Sequence, residues 1–436
     1  MVRKQTGNGA VNPGISLILL GLTLLGTPLF VVIALVAMIG FFSADINLTA
    51  VPVELFRLAD MPALQAIPLF TFAGYLLGAS KAPQRLVQLT QTLLGWLPGG
   101  LAVVALTACA VFTAFTGASG VTIIALGSLL FPALVQAGYP ERFSLGLITS
   151  SGSLGLLFAP SLPLILFAIV AQSMDQPVSV EHMFMAGIVP GALMLLVLAI
   201  YSGYVGHTQR PADHAHGPKP PLLRSVCESS WELPLPMLVL GGIYGGWLTV
   251  TEAAAMSTVY LLLVEVVIRR EVGWRQLPAV ARDSMALVGG VLIILGMSLA
   301  STNYMVDQEA PYHLFAFLNQ VIHNKATFLI VLTVFLLLLG MMLDIFSALV
   351  LMVPLLLPVA VHYGVHPVHF GILFLANMQL GYYTPPVGMN LFIASYRFDR
   401  PVMELYRASL PFFGLLLLVV LAITFFPVLS LGFLAP

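Results

Sequence analysis

A chain of 436 residues that is 59% hydrophobic and only 8% charged is not a soluble globular domain, which carries about 25% charged residues. Its net charge of −1 gives no basic or acidic bias toward nucleic acid. A mean hydropathy of +1.01, with several apolar stretches longer than about 20 residues, indicates a polytopic membrane protein.

Residues 1–14 contain Arg3 and Lys4 and read as a cytoplasmic tail. The first apolar run begins near Ile15 and continues past Gly40. It is too long for a signal-peptide core, and no A-x-A-like cleavage site ends it, so it is expected to be retained. The stretch around Asp45–Asp60 leans acidic. "KAPQRLVQLTQTLLGWL" (81–97) then alternates polar and apolar residues at helical spacing, as an arm in the membrane interface or as the start of a spanning helix. Between Arg85 and Arg142 lies one long apolar stretch with Gly117-Ala118-Ser119-Gly120 inside it. Two full crossings or a re-entrant hairpin with its tip at these residues both satisfy the charges. Small and hydroxylated residues suit the hairpin, because non-helical backbone at that depth is tolerated only inside protein or beside water.

"LGLLFAPSLP" (154–163) follows, a membrane-length helix broken between Gly155 and Pro160. The loop Asp175–Glu181 leans acidic. Residues 207–232, with "DHAHGPKPP", read as a Pro-rich cytoplasmic linker. Cys227 lies there and Cys109 in an apolar segment; neither has the setting of a disulfide or a metal ligand. Glu252 in "TVTEAAA" reads as a helix cap. Arg269, Arg270, Arg275 and Arg282 mark a basic loop, and "QEAPYHLFAFLNQVI" (308–322) is the counterpart of the first amphipathic stretch. A second apolar hairpin contains Asp344. His362, His366 and His369 have i, i+4, i+7 spacing, but Pro367 interrupts that helix, so no metal site is expected. "LGYYTPPVGM" (380–389) repeats the Gly…Pro break.

An offset of 226 relates the two breaks. It maps Pro132 to Pro358, Gly138 to Gly364, Leu154 to Leu380, Gly155 to Gly381 and Pro160 to Pro386 without a gap. Of the 17 Lys and Arg residues, all but Arg57 and Lys325 fall in loops that the positive-inside rule places in the cytoplasm. That puts the Gly138 loop inside and the Gly364 loop outside, so the repeats are inverted. The expected fold is an all-α polytopic membrane protein. Its first repeat covers 15–206 and its second 233–436, each with scaffold helices, a re-entrant hairpin and a broken helix.

Inverted repeats with interrupted helices mark secondary transporters. Each break frees carbonyls and amides at mid-membrane, where oxygens can replace a sodium ion's water shell and amide ends can receive a carboxylate. Two tips facing two breaks suggest two ion sites around one substrate site. Gly117, Ser119, Ser153 and Gly155 are candidates for a first sodium site, and Asp344, Ser347, Gly381 and Thr384 for a second. Ser150, Ser151, Asn377 and Asn390 are candidate substrate ligands. A carboxylate such as Asp344 in an apolar run is a functional candidate by default, with helix capping as its structural alternative.

At "IPLFTFAGYLL" (67–77), "TGASGVTIIALGSLLFPALVQAGYPERFSLGLITSSGSLGLLFAPSLPLIL" (116–166), "GGIYGGWLTVTEAAA" (241–255) and "GMMLDIFSALVLMVPLLLP…HFGILFLANMQLGYYTPPVGMNLFIAS" (340–395), the sequence resembles the large membrane subunit of tripartite ATP-independent periplasmic (TRAP) transporters. Where that family usually has a Ser-rich first tip, T-P-T-E-A and a double proline, this chain has Thr-Gly-Ala-Ser-Gly, Val250 and Ala159-Pro160. The resemblance implies an elevator-type fold of the ion-transporter superfamily in a bacterial inner membrane. It implies a small four-helix membrane subunit and a periplasmic substrate-binding protein as partners. It implies import of organic acids such as C4-dicarboxylates, keto acids or sugar acids, driven by sodium as coupling ion, without a cofactor. No Walker motif occurs, in keeping with the absence of ATP hydrolysis. The alternative is a carrier or exchanger of the same fold that needs no binding protein. An intramembrane enzyme would require paired carboxylates or a nucleophile–base dyad, and the sequence shows neither.

Overall fold

The computed structural model describes residues 21–434 apart from 23, 24, 26, 44, 45, 60, 95–98, 175–177, 209–229, 233 and 386. The expected tail, most of the linker, Cys227 and Pro386 of the second break therefore lie outside the described residues. Within them the chain is helical and contains no strand. Six helices are long and apolar enough to cross a membrane, or up to eight if each bent pair is one span.

The first hairpin descends through Gly100–Thr116 and returns through Ser119–Ala125 and Gly127–Gln136, bent by 50° between the last two. Its turn depends on Gly117. The left-handed backbone there (φ +66°) lets its N–H close on the Thr113 carbonyl at 2.8 Å, and Ala118 then runs extended into the return leg. The first broken helix is Glu141–Ser151, a short 3-10 turn at Leu154–Leu157, then Leu162–Gln172 with Pro163 in its opening turn. In the second repeat the hairpin is Lys325–Met342 and Ile345–His362, and the broken helix is Pro367–Gly381 and Met389–Phe398.

The offset read from the sequence recurs bond for bond. Gly138 donates to Val135 O and Tyr139 to Leu134 O; Gly364 donates to Val361 O and Val365 to Ala360 O. Both glycines are left-handed, at φ +86° and +73°. The helices that follow begin at Glu141 and Pro367, again 226 apart.

These equivalent loops lie at opposite ends of the molecule. The helix Val402–Phe425 carries Arg407, whose carbonyl accepts a bond from Arg142 at 2.9 Å. Just past its other end, Ser430 meets His369 at 2.6 Å. Twenty-four residues span about 36 Å. The Gly138–Arg142 end also holds Gly99, packed on Ser202 and Gly203, and the Arg400–Glu141 ion pair. The Gly364 end holds Lys325, whose ammonium donates to the Gly364 carbonyl. The two broken helices run in opposite directions between these ends.

Neither hairpin crosses the molecule. A side chain added to Gly117 would strike Leu162, the first residue of the second half-helix, from which the chain runs on for ten more residues. The first tip therefore stops at the level of the break, as a re-entrant hairpin does. The second tip likewise stops at its break, where the Ile345 amide donates to the Tyr382 hydroxyl at 2.5 Å.

The amphipathic stretch at 81–97 forms the helix Ala82–Leu94, packed along the descending leg of the first hairpin. Its Arg85 does more than mark a cytoplasmic loop. It reaches Glu232 at 2.6 Å, Glu271 at 2.5 Å and Glu265 at 3.4 Å, and Arg269 joins the same cluster. The other stretch forms Ala310–Asn319, with no buried residue, and rests Phe315 on His362 and Tyr363. Glu252 caps its helix through a capping box with Thr249. His366 and His362 bond to local backbone, and no metal-holding cluster occurs among the described residues.

Two outcomes are expected from this architecture. With Cys109 and Cys227 replaced, an impermeant maleimide added to intact cells should label His362→Cys and spare Gln136→Cys; labelling of both would contradict the inverted arrangement. The second concerns Glu271. Burial alone would raise its carboxyl, but hydrogen bonds from Arg85 and the Lys81 amide outweigh burial and hold it below the ordinary value. A carboxyl depressed by folding stabilises fully above its unfolded pKa of about 4.3 and loses that contribution as pH falls through the folded value. The thermal-stability gap between wild type and Glu271→Gln should therefore be present at neutral pH and close at acid pH, when unfolding is followed in detergent. A gap independent of pH would show that charge is not what holds the arm.

Candidate functional site

The two tips and the two breaks meet in the buried centre. Every residue from Phe143 to Leu157 is buried, and so is every residue from Val368 to Tyr383. Glycine makes the contacts possible. A side chain on Gly155 would lie 2.2 Å from the Ala110 carbonyl, and one on Gly381 would lie 2.5 Å from the Gly340 backbone. Ala114, which also touches Gly155, is the 226-offset equivalent of Gly340, so the same hairpin–break contact is built twice.

Of the first candidate set, Gly117, Ser153 and Gly155 sit where the hairpin leg meets the first break. The Ser153 hydroxyl turns back to the Ser150 carbonyl at 3.4 Å. Ser119 does something the sequence did not suggest: its hydroxyl crosses to Asn390 Oδ1 at 2.8 Å, in the other repeat. The Asn390 amide then donates to the Thr149 carbonyl at 3.3 Å. One side chain at the start of the last half-helix thus binds the first tip to the first broken helix.

The second set gathers around its own tip. Asp344 caps the helix Ile345–His362: its Oδ1 accepts from the Phe346 and Ser347 amides, each at 3.0 Å, and its Oδ2 accepts from the Ser347 hydroxyl. Thr384 bonds back to the Leu380 carbonyl at 2.7 Å. Gly381 packs on Gly340, and Gly388 donates to the Met341 carbonyl at 3.1 Å.

Among the substrate candidates, Ser150 and Ser151 bond to carbonyls of their own helix, Gly146 and Leu147 for the first and Ile148 for the second. Asn377 donates to Leu373 O at 2.8 Å, but its buried Oδ1 has no hydrogen-bond partner among the described residues. The same holds for Gln379 Oε1 and the Tyr383 hydroxyl, which flank the second break and were not singled out from the sequence. Thr113, Thr122 and Tyr382 were also missed. Thr113 lies one helical turn before Gly117, a spacing that marks it as a neighbour of the tip.

The half-helices set the electrostatics. Glu141–Ser151 and Pro367–Gly381 end at the breaks with carbonyls forward, while Leu162–Gln172 and Met389–Phe398 begin there with amides forward. Such a centre offers oxygens to a cation and amides to an anion.

Comparison with known proteins agrees with this construction. The family model for the DctM component of the tripartite ATP-independent periplasmic transporter matches residues 16–429. A C4-dicarboxylate TRAP large permease protein from Rhodobacter capsulatus is 33% identical, covering 95% of this chain and 97% of that protein. An isethionate TRAP permease protein from Oleidesulfovibrio alaskensis is 32% identical over 94% of this chain, which spans 64% of that protein's length. An ectoine/5-hydroxyectoine TRAP large permease protein from Ruegeria pomeroyi is 29% identical, covering 96% and 97%. The solved structure of the Alcanivorax borkumensis YdaH transporter, described as having an unusual topology, shares the fold, with a TM-score of 0.62 at 15% identity over 89% of this chain and 88% of that one. With six to eight membrane-length apolar spans among the described residues, the chain is a multi-pass protein of the bacterial inner membrane. It belongs to the DctM family, the large permease subunits of tripartite ATP-independent periplasmic transporters.

Proposed function

We propose that this permease subunit imports an organic acid by coupling it to sodium, and that its hairpins and broken helices travel together as an elevator. The observation that carries the reading is the convergence of two tips on two breaks, with oxygens and helix ends of both signs aimed into one buried centre. Sodium fits the oxygen-rich first tip and break and the Asp344 turn, because ring-like sets of carbonyls and hydroxyls can stand in for a hydration shell. Asn377 Oδ1, which has no hydrogen-bond partner among the described residues, is a buried polar atom of the kind a bound substrate would satisfy. A carboxylate would face the amide ends at Leu162 and Met389. The relatives' names range from C4-dicarboxylate to isethionate and ectoine, so the substrate within this class is open to the partner that delivers it.

Elevator displacement is supported by a mismatch of levels. Ala82 and Glu232, beside the Arg85 cluster, line a small cleft with Val111, Phe112 and Phe115 near the first tip. The base of that hairpin, at Gly99, is twelve residues further along the leg, about 18 Å beyond. The basic end of the surrounding helices is level with the tip, as it would be if the core stood displaced toward the cytoplasm.

The test is uptake into proteoliposomes. Sodium-driven uptake should require a small membrane subunit and a periplasmic binding protein; sodium-independent uptake by this chain alone would favour the carrier that needs neither. At matched expression, Asp344→Asn should raise the half-saturating sodium concentration several-fold while the binding protein holds substrate as before. The amide can still cap through its oxygen, so an unchanged sodium curve would leave Asp344 with a structural role only.

A further inference from the structure

The first tip lacks the device that orders the second. By the 226 offset, Ala118 stands where Asp344 stands. Asp344 caps its helix by accepting two backbone amides and also holds the Ser347 hydroxyl, whereas Ala118, at the equivalent N-cap, has no side-chain cap. The second tip is further held by the Tyr382 hydroxyl on the Ile345 amide.

At the first tip the work falls to Thr113, which is fully buried. Its carbonyl accepts the Gly117 N–H that closes the turn. Its hydroxyl lies 2.8 Å from the Gly152 carbonyl and 2.6 Å from the Thr122 hydroxyl. The Thr113 proton goes to the Gly152 carbonyl, and the Thr122 hydroxyl, whose alternative acceptor Ala118 O is 3.5 Å away, donates the much shorter bond to Thr113. On its other side, a side chain on Gly155 would come within 2.6 Å of Thr113 Cβ. One residue therefore touches both legs of the hairpin and the first break at two points, the end of its first half-helix and the turn that follows. Its 226-offset equivalent is Leu339, which has no hydroxyl, so this tie exists in one repeat only.

We propose that Thr113 is a positioning residue for the first cation site: it fixes the tip at Gly117–Ser119 against the break at Gly152–Gly155. It holds the spacing between the two sets of oxygens without being a ligand itself. The proposal rests on the sodium-coupling reading.

The test uses the chain reconstituted with its partner proteins. Thr113→Val keeps the shape and removes the hydroxyl; Thr113→Ser keeps the hydroxyl. Thr113→Val loses both hydroxyl bonds, to Gly152 and from Thr122, and at about fivefold for a single buried bond this predicts a rise of at least about fivefold in half-saturating sodium. Half-saturation by substrate at saturating sodium should not move, and Thr113→Ser should restore the wild-type curve. An unchanged sodium curve would overturn the proposal. So would an equal shift in Thr113→Ser, or sodium, substrate and thermal-stability changes that move in parallel. Wild-type uptake that ignores sodium would sink the coupling reading instead, and the tie is then judged at the tip alone. Maleimide modification of Ala118→Cys should be faster with Thr113→Val than with Thr113; equal rates would overturn it.

Discussion

Backbone that leaves a helix inside hydrocarbon must find its hydrogen bonds in protein, because no water is there to supply them. That constraint organises the whole core. At the first break, the Gly152 carbonyl takes the Thr113 hydroxyl and the Leu156 carbonyl takes the Ser161 hydroxyl. At the second, Gly388 donates to Met341 and Asn390 to the Tyr382 carbonyl. Part of this satisfaction comes from a hairpin leg, so breaks and hairpins stabilise each other. Glycine at 155, 340 and 381 brings the backbones close enough for it. The Ser119–Asn390–Thr149 chain extends the dependence across the repeats, so the four parts form one unit.

The architecture was legible because two independent sequence signals agreed. The Gly and Pro offset indicated which loops correspond, the charge map indicated that they face opposite ways, and the structure sets them at opposite ends. Gly138 and Gly364 show why such a reading works: a left-handed turn requires glycine locally, so its place in the chain marks the loop. Re-entry of the first hairpin was one of two options, and it became decidable only from the contact of Gly117 with Leu162, which joins residues 45 apart.

The centre was less legible. Ser119 and Asn390 were picked out separately, as ion and substrate candidates, but they bond to each other across 271 residues. Nothing local in either stretch announces that partner. Ser150, Ser151 and Thr384 turn to their own helices, a choice that side-chain type leaves open. Thr113 has nothing in its local sequence to mark it; its importance comes from the return leg, the Gly152 carbonyl and the turn at Gly155 that fold around it. Arg85 read as a topology marker because its carboxylate partners lie 147 to 186 residues away.

The matching turns at Gly138 and Gly364, set at opposite ends of one core, bear on the sense of transport. A unit whose turns and hairpin–break contacts recur from both sides has no inward or outward preference written into that shared plan. Net flow through such a unit follows whichever gradients are imposed on it. What separates the two faces must then lie in the differences laid over that shared plan: an aspartate cap at one tip, a threonine tie at the other, and whatever protein presents cargo to only one side.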